Sequence, residues 1–401
     1  MNRLDRPILS GVLLLIAQHS LISQVPPMTC NANAPAPPVV RAEGRAELVS
    51  DIVLTCTGGN PSVAAPVNIA IFLNTNITSN LTGPGPDETE ALTLIDEPMP
   101  APTLNTSNGF PFVGQVRGTS GVMASGNVFT GLRTASPNQV VFFGVPVVPP
   151  GTGTRRFRIT NLRAVPPVPG VVPATILAFV SISGPISVPI VSPVLTVGFA
   201  TNGLNFTHMP AGTGLNLKFT EMFASAFKKR IENTGAGPLT AVKQNQPGVL
   251  HCTESGFNPD FTPVAPGNTG SANTGTRLAA RITGIPASVT WIIVPNTVVS
   301  GQIVAAFVPP PYIPPYSNGV PVVAPGLNFV PVAAGSAMVV YEVVAGAPYA
   351  GINGCAMIDS FLITVQPWPI GSLANTVVSG FFAPLDPTAI ISAPSPEPRF
   401  R

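Results

Sequence analysis

The sequence predicts a mainly β protein of two β-sandwich, Ig-like domains with one short helix near residues 220–233. Three observations carry that prediction. Charged residues make up 9% of the 401-residue chain, against about 25% in a soluble domain. Proline and glycine, 49 and 38 residues, interrupt it too often for coiled coils or helical bundles. Between these breaks, short runs rich in Val, Ile, Phe and Thr recur at the spacing of sandwich or barrel strands.

At the N-terminus, Arg3 and Arg6 precede the apolar run Ile8–Ala17, a basic region followed by an apolar segment of secretory-signal length. The run is too short to span a bilayer comfortably. Residues 1–24 are therefore expected to be a signal peptide, although no A-x-A marks its cleavage site. The mature chain divides near residue 200 into a first domain, 25–200, and a second, 201–391, each large enough for its own core. Residues 392–401, polar and proline-rich, read as a flexible tail.

Strands of the first domain are expected at Glu47–Cys56, Val67–Leu73, Ala91–Ile95, Gln139–Val145, Arg155–Leu162 and Thr175–Ile182. Within Arg155–Thr160, alternation puts Phe157 and Ile159 on one face and Arg156, Arg158 and Thr160 on the other, so the arginines are expected on a solvated face. Pro146–Pro150 and Pro166–Pro169 are expected as loops or extended edges, because proline cannot donate to a ladder. The second domain repeats the pattern at Arg277–Thr283, Ser288–Val294, Gln302–Val308, Ser336–Val344, Asp359–Gln366 and Asn375–Phe382.

One segment, Thr220–Asn233, contains neither proline nor glycine and reads as the helix. Met222, Phe223, Ala226, Phe227 and Ile231 gather toward one helical face, Thr220 would cap it, and Lys228, Lys229 and Arg230 would complement its C-terminal dipole.

Four cysteines, Cys30, Cys56, Cys252 and Cys355, form an even set that in an exported chain favours disulfides. Of three connectivities, Cys30–Cys56 with Cys252–Cys355 is preferred because each bridge stays within one half of the chain.

Catalytic inventory is thin. A net charge of +2 over the whole chain excludes the electrostatic footprint of a nucleic-acid partner. Of three histidines, His19 lies in the signal, and His208 and His251 lack metal-ligand spacing and read as surface or packing residues. No G-x-S-x-G elbow occurs, and no catalytic residue, metal ligand or cofactor is assigned. Asp87, Glu88 and Glu90 lack the calcium-loop pattern and read as a solvated loop, whereas Glu342 and Asp359 are expected on the sheet surface. A hydrolase using two carboxylates across a cleft leaves no mark in sequence spacing.

Among the aromatic residues, Trp291 in Val289–Val294 is expected in the core. The run Pro309–Tyr316 favours polyproline II, which would display Tyr312 and Tyr316 on a stiff loop; these two are nominated as a binding surface. No later run reaches eighteen apolar residues without interruption, so no membrane span is expected once the signal is removed.

The segments Leu54–Gly59, Ile71–Thr78, Glu90–Glu97, Phe157–Leu162, Phe223–Lys228 and Tyr341–Val344 resemble uncharacterised exported β-rich proteins of environmental bacteria. That resemblance implies a secreted bacterial β-protein and carries over no functional residue. The expected function is a secreted, non-enzymatic structural or adhesive protein of the cell surface or extracellular matrix, partnered by an extracellular glycan or by its own copies. The alternative is an extracellular carbohydrate-binding or carboxylate-dependent carbohydrate-active protein.

Overall fold

The computed structural model describes residues 26–81, 87–97, 113–167, 173–228, 254, 275–301, 303–309, 316–317, 320–321, 326–345 and 358–383. The expected signal and tail lie outside the described residues, which are all β with no helix among them.

The first part of the chain holds β1 (Thr29–Asn33), β2 (Val39–Arg41), β3 (Glu47–Leu48), β4 (Ile52–Gly58), β5 (Ala65–Leu73), β6 (Glu88–Ile95) and β7 (Gln115–Val116). It continues with β8 (Val128–Arg133), β9 (Gln139–Val147), β10 (Gly151–Thr160), β11 (Arg163–Ala164), β12 (Ala174–Ser183), β13 (Ile190–Val191) and β14 (Val194–Thr201). Twelve of these strands form one sheet in the order β13-β1-β4-β10-β6-β8-β9-β5-β12-β14-β2, with β7 beside β8; β3 and β11 pair separately.

This sheet cannot be flat. β1 and β2 lie nine strand positions apart, which in a flat sheet would be ~43 Å. Yet Asn33 and Val39 are joined by only six Cα steps, at most ~23 Å. The sheet therefore folds over itself, and the Ser50 amide beside β4 donates to the Val197 carbonyl in β14 at 2.8 Å. Leu54, Phe157, Ile71, Ile176 and Val197, from both ends of the sheet, share one apolar core.

Beyond Thr201 come β15 (Leu204–Ala211), β16 (Gly214–Glu221), β17 (Arg277–Thr283), β18 (Val289–Pro295), β19 (Thr297–Ser300) and β20 (Ile303–Phe307). They are followed by β21 (Tyr316–Ser317), β22 (Val320–Pro321), β23 (Leu327–Pro331), β24 (Ser336–Ala345), β25 (Ser360–Pro369) and β26 (Val377–Ala383). Two five-stranded sheets result, β15-β16-β25-β18-β23 and β19-β20-β24-β17-β26, while β21 and β22 form a small ribbon. Leu217, Phe219, Ile292 and Ile363 of one sheet and Leu278, Ile282, Val339 and Tyr341 of the other face a common core.

Two expectations are corrected here. Thr220 and Glu221 end strand β16, and Met222–Lys228 is a turn rather than a helix. The reason is that Leu215, Leu217, Phe219 and Glu221 are all buried at a period of two, and Ser225 takes φ +84°, which no helix accommodates. Arg158 is not on a solvated face; it is fully buried, although Arg156 is exposed as expected. Pro146 lies within β9 opposite Pro66 of β5. Both are tolerated because β9 meets β8 only at Val140 and Val141 and β5 meets β12 only from Asn68 onward, so neither proline faces a second ladder.

Candidate functional site

Burying a charge is costly unless it is paired and hydrogen-bonded, so a chain with few charges that buries many of them has organised them. The largest such cluster joins the two parts of the molecule. Arg41, at the end of β2, donates through Nε to Glu47 at 2.7 Å, through one terminal nitrogen to Thr276 Oγ1 at 2.7 Å and through the other to Glu254 at 2.8 Å. Thr276 Oγ1 in turn donates to Glu254 at 2.9 Å. Arg163, in β11, donates to Glu90 at 2.7 Å, to the Ala46 carbonyl at 3.0 Å, and to the Glu254 carbonyl.

Residues on both sides of the 201 junction are thus tied by Glu254, whose carboxylate meets Arg41 and whose carbonyl meets Arg163. Burial works against the Arg41 charge, but Glu254 and then Glu47 outweigh it and hold the guanidinium protonated. Burial likewise pushes the Glu254 carboxyl up, yet Arg41, Lys228 and Arg163 together bring it below the usual range. For Glu90 the balance goes the other way: desolvation exceeds the attraction of Arg163 and raises it. Lys228, expected on a solvated helix end, is instead buried in this cluster, where desolvation lowers it against the pull of Glu47 and Glu254.

Two further pairs follow the same pattern. Arg158 donates to Asp51 at 2.9 Å through Nε, and Arg277 pairs with Glu342 at 3.2 Å across the β17–β24 ladder. Glu342, expected on the sheet surface, is therefore corrected to a buried residue, because its strand partner is a buried arginine. Asp359 is also buried rather than on the surface; its backbone amide donates to Glu221 at 2.9 Å, and its side chain accepts from Ser300 at 3.1 Å. Burial pushes Glu221 up to about 7, against hydrogen bonds from the Asp359 and Phe227 amides, and it raises Asp359 as well.

The outer face of the β15-β16-β25-β18-β23 sheet carries a different chemistry. Trp291 of β18 is 41% exposed and Trp368 of β25 is 50% exposed; they lie directly opposite one another, with Pro331 of β23 on the other side of Trp291. Phe329 of β23, also exposed, meets Trp368 edge-on at 6.3 Å between ring centroids. The core placement expected for Trp291 is corrected by a β-bulge: the ladder slips between Val289 and Trp291, so Thr290 and Trp291 both face outward while Val289 and Ile292 stay buried. An extra residue in one strand re-aims the side chains after it.

Cys30 and Cys56 form a disulfide between directly opposed positions of β1 and β4. The Cys30 amide turns away to the Pro189 carbonyl, which makes the pair a non-hydrogen-bonded one, where opposed side chains approach most closely. Cys252, Cys355, His251 and Tyr312 lie outside the described residues; only the backbone of Tyr316 is described, in β21. His208 sits exposed on edge strand β15 and stacks on Phe206 at 6.1 Å. Asp87 and Glu88 pair with half-exposed Arg117 at 2.7 and 2.9 Å, whereas Glu90 of the same acidic run is buried. Among the described residues no group of three or more His, Cys, Asp or Glu side chains could hold a metal ion. No helix there is long and apolar enough to cross a membrane.

No protein-family model matches the chain, and no curated protein matches it. Among solved structures, the chain is similar to a "Biofilm associated protein - B domain" at 6% identity and a TM-score of 0.20, over 86% of this chain and 72% of that one. A superposition at that score establishes no shared fold.

Proposed function

We propose that the chain is an exported, non-enzymatic structural or adhesive protein of the cell surface or extracellular matrix, built from two Ig-like β-sandwich domains, 25–200 and 201–391. The observation that carries this reading is the inversion of its polarity. Arg41, Arg158, Arg163 and Arg277 are buried against carboxylates, while an outer sheet face presents tryptophan, phenylalanine and proline. Carboxylates that face arginines inside the molecule serve cohesion rather than proton transfer across a cleft. The Cys30–Cys56 bridge suits an oxidising compartment, and residues 1–24 supply the export signal.

The test is retention under flow of beads coated with the disulfide-intact mature chain, over the producing cells and over their secreted polymer. Coated beads are expected to hold where albumin-coated beads wash away. Equal loss of both would contradict the adhesive reading.

A further inference from the structure

We propose that the face carrying Trp291, Trp368 and Phe329 is a binding platform for a neutral polysaccharide chain. The inference rests on the adhesive reading above and names the ligand that would be held.

The register puts these rings on one side of three adjacent strands. Pro331, Trp291 and Trp368 form one row across β23, β18 and β25, and Phe329, Ile293 and Gln366 form the next. Large exposed apolar patches on soluble proteins mark interaction sites, and tryptophan is the side chain that contributes most at such sites. The bulge that turns Trp291 outward is a local distortion of the kind found beside functional surfaces, and the edge-on contact with Phe329 holds the Trp368 ring in place.

Charge decides among occupants. The strands β18, β23 and β25 contain no Asp, Glu, Lys or Arg, and Lys218 of β16, exposed on the same face, stands opposite Leu362, six residues along β25 from Trp368, so the rings themselves offer nothing to a polyanion or to an anionic lipid surface. It is not purely apolar either: Gln366 and Thr290 share the outer face and provide amide and hydroxyl groups beside the rings. Rings flanked by uncharged donors and acceptors match a pyranose chain, whose C–H faces lie on aromatic faces while its hydroxyls hydrogen-bond to the sides. A second copy laid on this face would bury those amide and hydroxyl groups against its own apolar rings, at the cost of desolvating them unpaired.

The test uses the full mature chain with its disulfide intact. Trp291 and Trp368 are the only two tryptophans in the sequence, so intrinsic tryptophan emission reports on this platform alone. The probes are hydroxyethyl cellulose, mixed-linkage β-glucan, galactomannan and dextran as neutral chains, with alginate and phosphatidylglycerol vesicles as charged surfaces. At least one neutral chain is expected to shift the emission and to retard the protein in an affinity gel. Trp368→Ala is expected to weaken that retardation at least about tenfold, Trp368→Phe less, and Leu177→Ala on the other part of the molecule not at all.

The proposal is overturned if no neutral chain of the panel shifts the emission, or if retardation survives in the Trp291→Ala/Trp368→Ala double variant. It is also overturned if the emission responds only to vesicles, or only to protein concentration, which would make the face a membrane or self-association surface. Bead adhesion separates the two readings. Bead adhesion with no shift or retardation by any neutral chain removes the platform and leaves the adhesive function standing; retardation without bead adhesion does the reverse.

Discussion

Replacing Arg163 by methionine keeps a stem of similar length in a fully buried position and removes only the guanidinium. That group meets the Glu90 carboxylate at 2.7 Å and the Ala46 carbonyl at 3.0 Å, and it also reaches the Glu254 carbonyl. Breaking a buried pair by removing one partner costs about 3–5 kcal/mol, because the other charge stays behind unpaired. For a unit of this size that corresponds to a fall in Tm of about 6–20 °C. Glu90 has one escape, which is to take a proton, and burial already pushes its carboxyl upward. The deficit of Arg163→Met should therefore be smaller at pH 5 than at pH 8. Urea unfolding of wild type, Arg163→Met, Glu90→Gln and the double variant, at both values, measures the cycle. A coupling of about 2–3 kcal/mol is expected at neutral pH. Single variants whose costs simply add, or an Arg163→Met chain within about 0.5 kcal/mol of wild type, would show that the Arg163 guanidinium does not hold Glu90 in place.

Three other perturbations follow from the same structure. Removing the Cys30–Cys56 bridge, which closes a loop with a sequence separation of 26, should cost about 3.5 kcal/mol in the chain-entropy treatment, read as the shift in urea midpoint of a Cys30→Ala/Cys56→Ala double variant. Glu221 titrates near 7 in the folded chain and at 4.5 when unexposed to burial. The folded state thus holds an extra proton between those values, and by linkage the contribution of Glu221 to stability is full below 4.5 and is lost as pH rises through about 7; Glu221→Gln should flatten that part of the Tm profile between pH 5 and 8. Gly144 takes φ +62°, and a Cβ there would meet the Thr119 and Val122 carbonyl oxygens, so Gly144→Ala should lower stability by more than about 1–2 kcal/mol, measured by the same urea series.

Much of the strand content was legible because period-two runs are bounded by glycine and proline. Arg277–Thr283 is found with the bounds its sequence suggests, and Gln139–Val145 extends only to Val147. The reading failed where non-local partners override local pattern. Thr220–Lys228 lacks helix breakers, yet the strand that precedes it pairs with β15 and β25, and that pairing sets the conformation through Glu221. Trp291 sits in a run whose simple alternation points it inward; the bulge that reverses it depends on how β25 pairs with β18.

The buried charges were the least legible. Arg41 and Thr276 are 235 residues apart, and no spacing rule brings them together. One signal was present in retrospect. Glu342 stands inside the apolar run Val339–Val344, and in a chain so poor in charge a charged residue at such a position has a partner across the sheet. The aromatic platform could have been suspected from Gln366-Pro-Trp368-Pro, since prolines beside a tryptophan suit an edge or exposed end of a strand better than a packed interior.

In the proposed function, charge holds this molecule together from inside while an uncharged surface meets its partners. Salt separates those roles, because exposed electrostatic contacts are screened within about 3 Å at 1 M ionic strength and reach about 10 Å at 0.1 M. Beads coated with the mature chain should therefore hold to their target surface with the same strength across that range. A steep loss of adhesion with added salt would show that exposed charge does the binding, and would contradict the claim.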